Sequence, residues 1–294
     1  MFANVIVGVD GQEGGRDAIA LAQVLRDPGG TVGLAYIHVG YARLYRRGGA
    51  AYEASEREHG LELLRRERDE AGLDAELHVR GSASVGRGLH ELAEEVGADL
   101  LVIGSSRRGI LGRVLIGDDT RASLNGAPCP VAIAPAEYRK RPQVVREIGV
   151  GYDGSPESQH ALEVARGLAE RIGAKLSAFE AVSVPLYGLA DGVPLIGDAI
   201  DEAVAEARDR IADLGIEPHA AYGIAAEELT LYSASVDVLV VGSRGYGPVG
   251  RLVHGSISTQ LARTARCPLL VLTRAAAGTP SRDTTQDADT ATGH

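Results

Sequence analysis

The 294-residue sequence predicts an α/β protein built from two tandem doubly wound, Rossmann-like domains, each with a five-stranded parallel sheet. Two observations predict this fold. The segment ADLLVIGSSRRGILGRVLIGDDT near residue 100 recurs as VDVLVVGSRGYGPVGRLVHGSIST near residue 238, at a constant offset of 138 residues. In addition, short Val- and Ile-rich runs alternate with amphipathic stretches, which is the pattern of βαβ units.

The repeated unit is the size of a domain, so the chain is a tandem duplication rather than a solenoid. The residues that recur at this offset are Asp99, Gly104, Gly109, Gly112, Arg113, Gly117, Cys129 and Pro130, which become Asp237, Gly242, Gly247, Gly250, Arg251, Gly255, Cys267 and Pro268. We predict domains over residues 1–140 and 144–275, joined by the polar linker 137–143. Residues 276–294 lack bulky apolar side chains and are expected to form a disordered tail.

Both halves open in the same way. The runs NVIVGVD and EIGVGYD end at Asp10 and Asp153, and each precedes a helical pattern. Ser155 is a good N-cap with Pro156 at the first helical position, whereas Gln12 is a poor cap. Further strands are predicted at 31–39, 74–80, 99–103, 130–134, 175–182, 216–222, 237–241 and 268–273. Helices are predicted at 14–26, 51–71, 84–96, 118–126, 156–172, 196–213, 224–235 and 256–264.

Composition excludes several classes of function. The net charge of −10 argues against non-specific binding to nucleic acid or to an anionic membrane. No apolar run approaches the roughly 20 residues of a membrane helix, and the first residues do not resemble a secretory signal, so we expect a cytoplasmic protein. Cys129 and Cys267 are expected to be buried and reduced, although a disulfide between the domains stays open. No metal-ligand spacing is present, so no metal site is predicted.

A glycine-rich loop is the part of the sequence that points to chemistry. The strand at 237–241 ends in Gly242, and Gly245, Gly247 and Gly250 precede a helix that begins near Gly255. In open α/β sheets, ligands bind beyond the carboxyl ends of the strands. Backbone N–H groups of such a loop and the following helix N-terminus form a cradle for phosphate. A glycine-rich turn without a ligand is the alternative.

The spacing Gly242-x2-Gly245-x9-Gly255-Ser256 resembles the ATP-binding signature of the universal stress protein family. The resemblance extends to Asp153-Gly154-Ser155, to Asp237 and to the Cys-Pro pairs, and it covers both halves. It implies that Asp153 lies near the adenosine moiety, although this carboxylate is also placed to cap the next helix turn. It further implies a nucleotide site made of Asp153, Gly154, Ala181, Val182, Gly242, Arg244, Gly245, Gly247, Gly255, Ser256, Ile257 and Ser258.

The first half departs from this pattern. Gln12 stands in place of Ser155, Arg107 in place of Gly245, and Asp118 in place of Ser256. A carboxylate within about 4 Å of a phosphate costs on the order of 4 kcal/mol at an effective dielectric constant near 20. We therefore predict an intact second site and a degenerate first site.

The resemblance implies an ATP-binding protein, with or without Mg²⁺, that couples adenine-nucleotide binding to interactions during stress or dormancy. No catalytic residues are predicted, and whether ATP is weakly hydrolysed stays open. An interaction module with vestigial nucleotide binding is the alternative, and adenylyl transfer lacks a supporting motif. By resemblance, PVAIAP (130–135) and PLLVLT (268–273) should pair within one chain, which then mimics a dimer. Protein partners and a true homodimer stay open.

Overall fold

The structure is a computed structural model that describes residues 2–39, 49–105, 123–141, 144–183, 194–243 and 256–272. Its strands are β1 (Phe2–Gly8), β2 (Arg26–Val39), β3 (Glu76–Ser82), β4 (Leu100–Gly104), β5 (Val131–Ala134), β6 (Glu147–Gly151), β7 (Lys175–Val182), β8 (Glu217–Tyr222), β9 (Val238–Gly242) and β10 (Leu269–Leu272). Its helices are α1 (Glu13–Leu25), α2 (Gly49–Ala71), α3 (Val85–Val96), α4 (Pro156–Ile172), α5 (Pro194–Ala212), α6 (Ala225–Tyr232) and α7 (Ser256–Thr264). This alternation confirms the predicted fold class.

All ten strands belong to one sheet with the order β3-β2-β1-β4-β5-β10-β9-β6-β7-β8. Pairing is parallel within each half, and β5 and β10 pair antiparallel where the halves meet, with Val131 opposite Val271 and Ile133 opposite Leu269. The predicted pairing of the two fifth strands is therefore confirmed. Because the strands of the two halves run in opposite directions, their carboxyl ends lie on opposite sides of the molecule, at opposite ends of the strands.

Helices cover both faces of the sheet, and each face buries side chains from both halves. One face combines Leu21 of α1 with Leu168 of α4, both fully buried. The other combines Leu89 of α3, Leu229 of α6 and Leu261 of α7. Burying such a side chain contributes roughly 1.5–3 kcal/mol, so the shared core holds the halves together.

Strand β2 begins at Arg26, five residues before the predicted start. Phe2 pairs with Arg26 and Asn4 pairs with Thr31, so four residues of β2 bulge between these two pairs. Regular pairing begins at Thr31, the predicted first residue. The extra pair at Arg26 was not predictable because the intervening Asp-Pro-Gly-Gly sequence is typical of a turn.

Helix α6 is shorter than the predicted 224–235. Ser233 Oγ donates to the carbonyl of Thr230 (2.6 Å), and Ser235 Oγ donates to the carbonyl of Tyr232 (2.8 Å). Serine hydroxyls that bond to nearby backbone carbonyls compete with helical hydrogen bonding. The helix therefore ends at Tyr232 and continues as turns.

Residues 137–141 of the predicted linker dock on the first half. Tyr138 is buried within a 3₁₀ turn at residues 138–140. The buried carboxylate of Asp17 in α1 accepts the N–H groups of Glu137 (2.8 Å) and Arg139 (2.9 Å). Arg139 also pairs with Glu13 at 2.8 Å. The connection between the halves is therefore fastened to the first two turns of α1.

Two repeated features of the sequence have structural explanations. Asp99 accepts the N–H groups of Ala3 (2.7 Å) and Asn4 (3.0 Å), and Asp237 accepts those of Arg146 and Glu147 in the same way. Each aspartate thus fixes the start of the first strand of its half. This is why the residue recurs at the 138-residue offset.

The two cysteines are free and buried, as expected. Burial raises the pKa of both thiols to about 12. The β5–β10 register sets Cys129 and Cys267 about six residues apart along the paired strands, or roughly 20 Å. A disulfide requires Cα atoms within about 7 Å, so a bridge between them is excluded.

Candidate functional site

Each half has one crevice where its strand order reverses. In the second half, β6 lies between β7 and β9, and in the first half β1 lies between β2 and β4. The chain moves outward in both directions from such a point, which leaves space beyond the carboxyl ends of the two central strands. We call these the second crevice, marked by Asp153, Ala181 and Gly242, and the first crevice, marked by Asp10 and Gly104.

Matching backbone hydrogen bonds establish which residues are equivalent. The N–H of Tyr152 donates to the carbonyl of Phe179 (2.9 Å), and the N–H of Val9 donates to the carbonyl of Ala35 (2.8 Å). Two residues further along β7, Ala181 therefore occupies the position of Ile37 in β2. The side chain of Ala181 has three fewer carbon atoms, so this wall of the second crevice is recessed.

Asp153 is exposed at the end of β6, where the sequence predicted it. Its Oδ1 accepts the N–H of Ser155 (3.0 Å), just as Asp10 Oδ1 accepts the N–H of Gln12 (2.9 Å). Asp153 therefore caps the turn that precedes α4, and Asp10 makes the same hydrogen bond before α1. Gly154 follows with φ +73°, a conformation that favours glycine.

Helix α4 begins beside the second crevice with an N-cap serine and a proline at its first position. Ser155 Oγ accepts the N–H of Ser158 (3.2 Å), and Pro156 is the first helical residue. Ser158 Oγ in turn accepts the N–H of Asp153 (3.3 Å). At the equivalent place in the first half, the side chain of Gln12 makes no capping hydrogen bond, as predicted.

Gly242 has a packing role that the sequence pattern did not reveal. A Cβ atom at this position would lie 2.4 Å from the carbonyl oxygen of Glu157 in α4. A Cβ on Gly104 would lie 1.9 Å from the carbonyl oxygen of Gly14 in α1. Glycine is therefore required in both halves so that the helix begins directly against the strand end. This contact forms the floor of each crevice.

The rest of the predicted site is only partly covered by the structure. Val182 is partly exposed at the end of β7, and its carbonyl accepts the N–H of Gly223 (3.1 Å). Helix α7 begins at Ser256 as predicted, with Ile257 partly buried and Ser258 buried. The positions that lie outside the described residues are Arg244, Gly245, Gly247 and Gly255, together with Arg107 and Asp118 of the first half and the predicted tail.

The first crevice contains a cavity that sequence reasoning missed. Its volume is about 170 Å³, and it extends between the start of α1, the start of α3 and the strand ends. Its described lining consists of Gly8, Val9, Asp10, Gly14, Gly15, Ala35, Tyr36, Ile37, Val85, Leu89, Ile103, Gly104, Ser105 and Ser123. The pair Gly14-Gly15 at the start of a helix was the available signal.

The described residues contain neither a metal-binding cluster nor a helix suited to a membrane. No three or more His, Cys, Asp or Glu side chains in this part of the chain are grouped so that they would hold a metal ion. None of the described helices combines the length and apolarity that a bilayer-spanning segment needs.

Comparison with known proteins gives the family. The model of the universal stress protein family matches residues 1–135 and 145–273. The chain belongs to the universal stress protein family. Universal stress protein Rv2319c of Mycobacterium tuberculosis is 28% identical over 274 residues, which cover 87% of this chain and 90% of the relative. Universal stress protein Rv2005c of the same organism is 34% identical over 182 residues, covering 59% and 61%.

Solved structures share the two-domain fold. A universal stress protein from Archaeoglobus fulgidus aligns with 92% of this chain and 98% of its own, with a TM-score of 0.64 and 19% identity. A putative universal stress protein from Pseudomonas aeruginosa has a TM-score of 0.60 at 19% identity and coverages of 92% and 93%. One universal stress protein that aligns with 44% of this chain and 97% of its own (26% identity, TM-score 0.31) was solved in complex with cAMP.

Proposed function

We propose that the second crevice binds an adenine nucleotide, ATP, and that the protein couples this binding to interactions during stress or dormancy. The observation that carries the proposal is the convergence of Asp153, Ala181 and Gly242 at the carboxyl ends of three neighbouring strands. The sequence that follows β9, Gly242-x2-Gly245-x9-Gly255-Ser256, fits a phosphate cradle.

Each predicted residue has a proposed role. Ala181 and Val182 would line the adenine, since the alanine recesses the wall that Ile37 fills in the other half. Asp153 is exposed and would face the ribose. Backbone N–H groups from Gly242 to Gly255 would hold the phosphates, with hydroxyls from Ser256 and Ser258, and Mg²⁺ would accompany ATP as its usual counterion.

The proposed output is a change in population rather than a reaction. A ligand that binds one conformation more tightly shifts the protein toward that conformation, and no catalytic base is required. At most weak hydrolysis of ATP is expected. The cytoplasm is the proposed location because ATP is available there, and the proposed partners are proteins. A homodimer is compatible with the two outer sheet edges at β3 and β8.

A calorimetric titration of the full chain with ATP tests the proposal. We expect about one site per chain. The double variant Gly245→Arg/Ser256→Asp gives the second half the residues of the first. A carboxylate beside a phosphate costs about 4 kcal/mol, and about 1.4 kcal/mol corresponds to a tenfold change in affinity. The variant should therefore weaken ATP binding by roughly a thousandfold. The reciprocal variant Arg107→Gly/Asp118→Ser is the matched control and should leave ATP binding in the second crevice unchanged.

Two results would contradict the proposal. Failure of ATP to bind at all would favour an interaction module with vestigial nucleotide binding. Two equal and tight ATP sites would remove the asymmetry between the halves. Nucleotide that stays with the protein through purification, identified by absorbance and mass, is an independent check of the same point.

A further inference from the structure

The amino ends of the strands are built differently in the two halves. Ile6 of β1 lies opposite Gly33 of β2, and Gly149 of β6 lies opposite Ser177 of β7. These two pairs are equivalent, because each lies at the same distance from the matching hydrogen bonds between the first two strands of its half. The first half therefore has isoleucine and glycine where the second half has glycine and serine.

In the second half, the ring of Tyr232 fills the space above this pair. A Cβ atom on Gly149 would lie 2.7–2.9 Å from three atoms of the Tyr232 side chain, so the ring rests directly on the glycine. The hydroxyl of Tyr232 hydrogen-bonds to Ser177 Oγ (2.6 Å), and Ser177 Oγ donates to Glu147 Oε1 (2.8 Å). The ring also stacks on Phe179, with centroids 5.0 Å apart. The second half thus holds a phenol by both its face and its hydroxyl.

The first half has no tyrosine at this place, and a cavity lies there instead. Tyr232 is the eighth residue of α6, and the eighth residue of α3 is Leu92. A cavity of about 170 Å³ lies beside Ile6 and Gly33, at the amino ends of β1, β2 and β3. We call it the amino-end cavity. Its described lining consists of Asn4, Ile6, Thr31, Val32, Gly33, Glu76, His78 and Val96.

The end of α3 forms one wall of the amino-end cavity. Helix α3 continues to Val96, whereas α6 ends at Tyr232. Asn4 Nδ2 donates to the carbonyl of Val96 (2.7 Å), and Asn4 Oδ1 accepts the hydroxyl of Thr31 (3.2 Å). Asn4 therefore fastens the end of the helix to the strands. Ile6 and Val96 supply apolar surface that an aromatic ring would contact.

Two side chains supply the hydrogen-bonding groups of the lining. The ring of His78 lies over Gly33, since a Cβ atom there would be 2.9 Å from two of its ring atoms. His78 Nε2 is 3.6 Å from Glu76 Oε2, which is too long for a hydrogen bond. A ligand hydroxyl beside them would donate to the carboxylate of Glu76 and accept from a ring N–H of His78. Because Glu76 is the one carboxylate and no Lys or Arg is present among the described lining residues, an anionic ligand would be repelled.

The volume of the amino-end cavity limits the ligand to one ring. At about 170 Å³ it is slightly larger than the roughly 150 Å³ cavity that accommodates benzene in another protein. It is smaller than the roughly 300–1,000 Å³ of pockets that enclose drug-sized ligands.

We propose that the amino-end cavity binds a small uncharged phenol, a single aromatic ring with a hydroxyl group, at the place that Tyr232 fills in the second half. The ring would contact Ile6 and Val96, and the hydroxyl would pair with Glu76 and His78. The cavity lies at the opposite ends of the strands from the first crevice, and four strands separate β1 from β6 of the second crevice. The proposal is therefore independent of ATP binding.

The test uses phenol itself. Equilibrium dialysis of labelled phenol against the full chain should show about one phenol per chain. Toluene, which lacks the hydroxyl, should compete roughly tenfold more weakly, and benzoate should also compete more weakly because its carboxylate faces Glu76. Val96→Phe should fill the cavity from the wall of α3 and weaken phenol binding at least tenfold. The matched control is Val144→Phe, because Val144 is 58% exposed and lies outside the cavity.

A second variant keeps the test valid if Val96→Phe disturbs the helix. His78→Phe keeps a ring of similar size but removes the ring N–H, so phenol binding should weaken roughly three- to tenfold. The matched control is His219→Phe at the equivalent position of the second half, where Tyr232 already fills the space. It should leave the phenol affinity unchanged. Thermal unfolding of each variant establishes that the fold is retained.

The outcomes separate this proposal from that of the ATP site. One phenol per chain, weakened by Val96→Phe or His78→Phe and by neither control, supports a site in the amino-end cavity. Absence of phenol binding, binding that neither variant weakens, or displacement of phenol by ATP would overturn it. If ATP does not bind at all, the ATP proposal fails, and the phenol series still decides the amino-end cavity.

Discussion

Replacing Gly242 by alanine should destabilise the second half and displace the start of α4. The added Cβ would lie 2.4 Å from the carbonyl oxygen and 2.6 Å from the carbonyl carbon of Glu157. Cβ atoms essentially never approach other atoms within 3.0 Å, so the oxygen must move by at least the missing 0.6 Å. It belongs to the backbone, so no side-chain rotation relieves the contact. Overpacking of this kind typically costs about 1–3 kcal/mol.

Urea unfolding of the full chain, followed by circular dichroism, measures this cost. Gly197→Ala is the matched control, because Gly197 lies in α5 with nothing within 4 Å of the added Cβ. The same substitution there should stabilise the helix by up to about 1 kcal/mol. Gly104→Ala should destabilise the first half more than Gly242→Ala destabilises the second, since its Cβ would lie only 1.9 Å from the backbone.

The ATP affinity of Gly242→Ala adds a functional measure. The N-terminal end of α4 lies beside Asp153 in the second crevice. Because the substitution displaces this end, ATP binding should weaken together with stability. If Gly242→Ala unfolds at the urea concentration of the unaltered protein, the strand end and the helix are not in contact as described. The contact of Gly242 with Glu157 that forms the floor of the second crevice would then be contradicted.

Three further predictions concern caps, the connecting segment and the thiols. Ser155→Ala should cost about 1 kcal/mol in urea unfolding, whereas Gln12→Ala should stay within about 0.5 kcal/mol, since only the first side chain caps its helix. Equal effects would contradict this. Burial raises the pKa of Asp17, so the folded chain holds its proton more tightly than the unfolded chain. The free energy of unfolding of the unaltered protein minus that of Asp17→Asn should therefore fall as pH rises above about 4, the ordinary pKa of the group. If this difference rises over the same pH range, the raised pKa of Asp17 is contradicted. Cys129 and Cys267 should resist thiol reagents at pH 8 and react once urea unfolds the chain, because both are buried with pKa values of about 12. Rapid labelling of the folded protein would show that they are accessible.

Much of the fold could be predicted because each element carried its own signal. The start of α4 at Pro156 followed from Ser155 and the proline, and β7 at Lys175–Val182 matched its apolar run. The pairing of the fifth strands was implied by the family resemblance. The early start of β2 at Arg26 could not be predicted, because it depends on one long-range pair with Phe2.

The docking of the predicted linker on α1 could not be predicted, because it depends on a long-range contact. Tyr138 is buried and the neighbouring N–H groups bond to Asp17, which lies about 120 residues earlier. The available signal was the position of Asp17, directly before an apolar stretch of α1. An aspartate in such a place indicates a buried carboxylate with a specific partner. The sequence alone did not identify that partner.

The candidate site shows the same division. Asp153 and Gly242 were predicted by position, and the structure gives each a local role that is independent of nucleotide, as a turn cap and as a close strand–helix contact. The cavity beside Gly15 was not predicted, because the strand ends and the two helix starts that line it come together only in the folded chain.

A crystal structure of the full chain grown with excess ATP tests the central claim most directly. We predict electron density for one nucleotide per chain, in the second crevice, with the adenine beside Ala181 and the ribose near Asp153. Density for ATP in the first crevice instead, or a second crevice filled by side chains of the protein, would contradict the account.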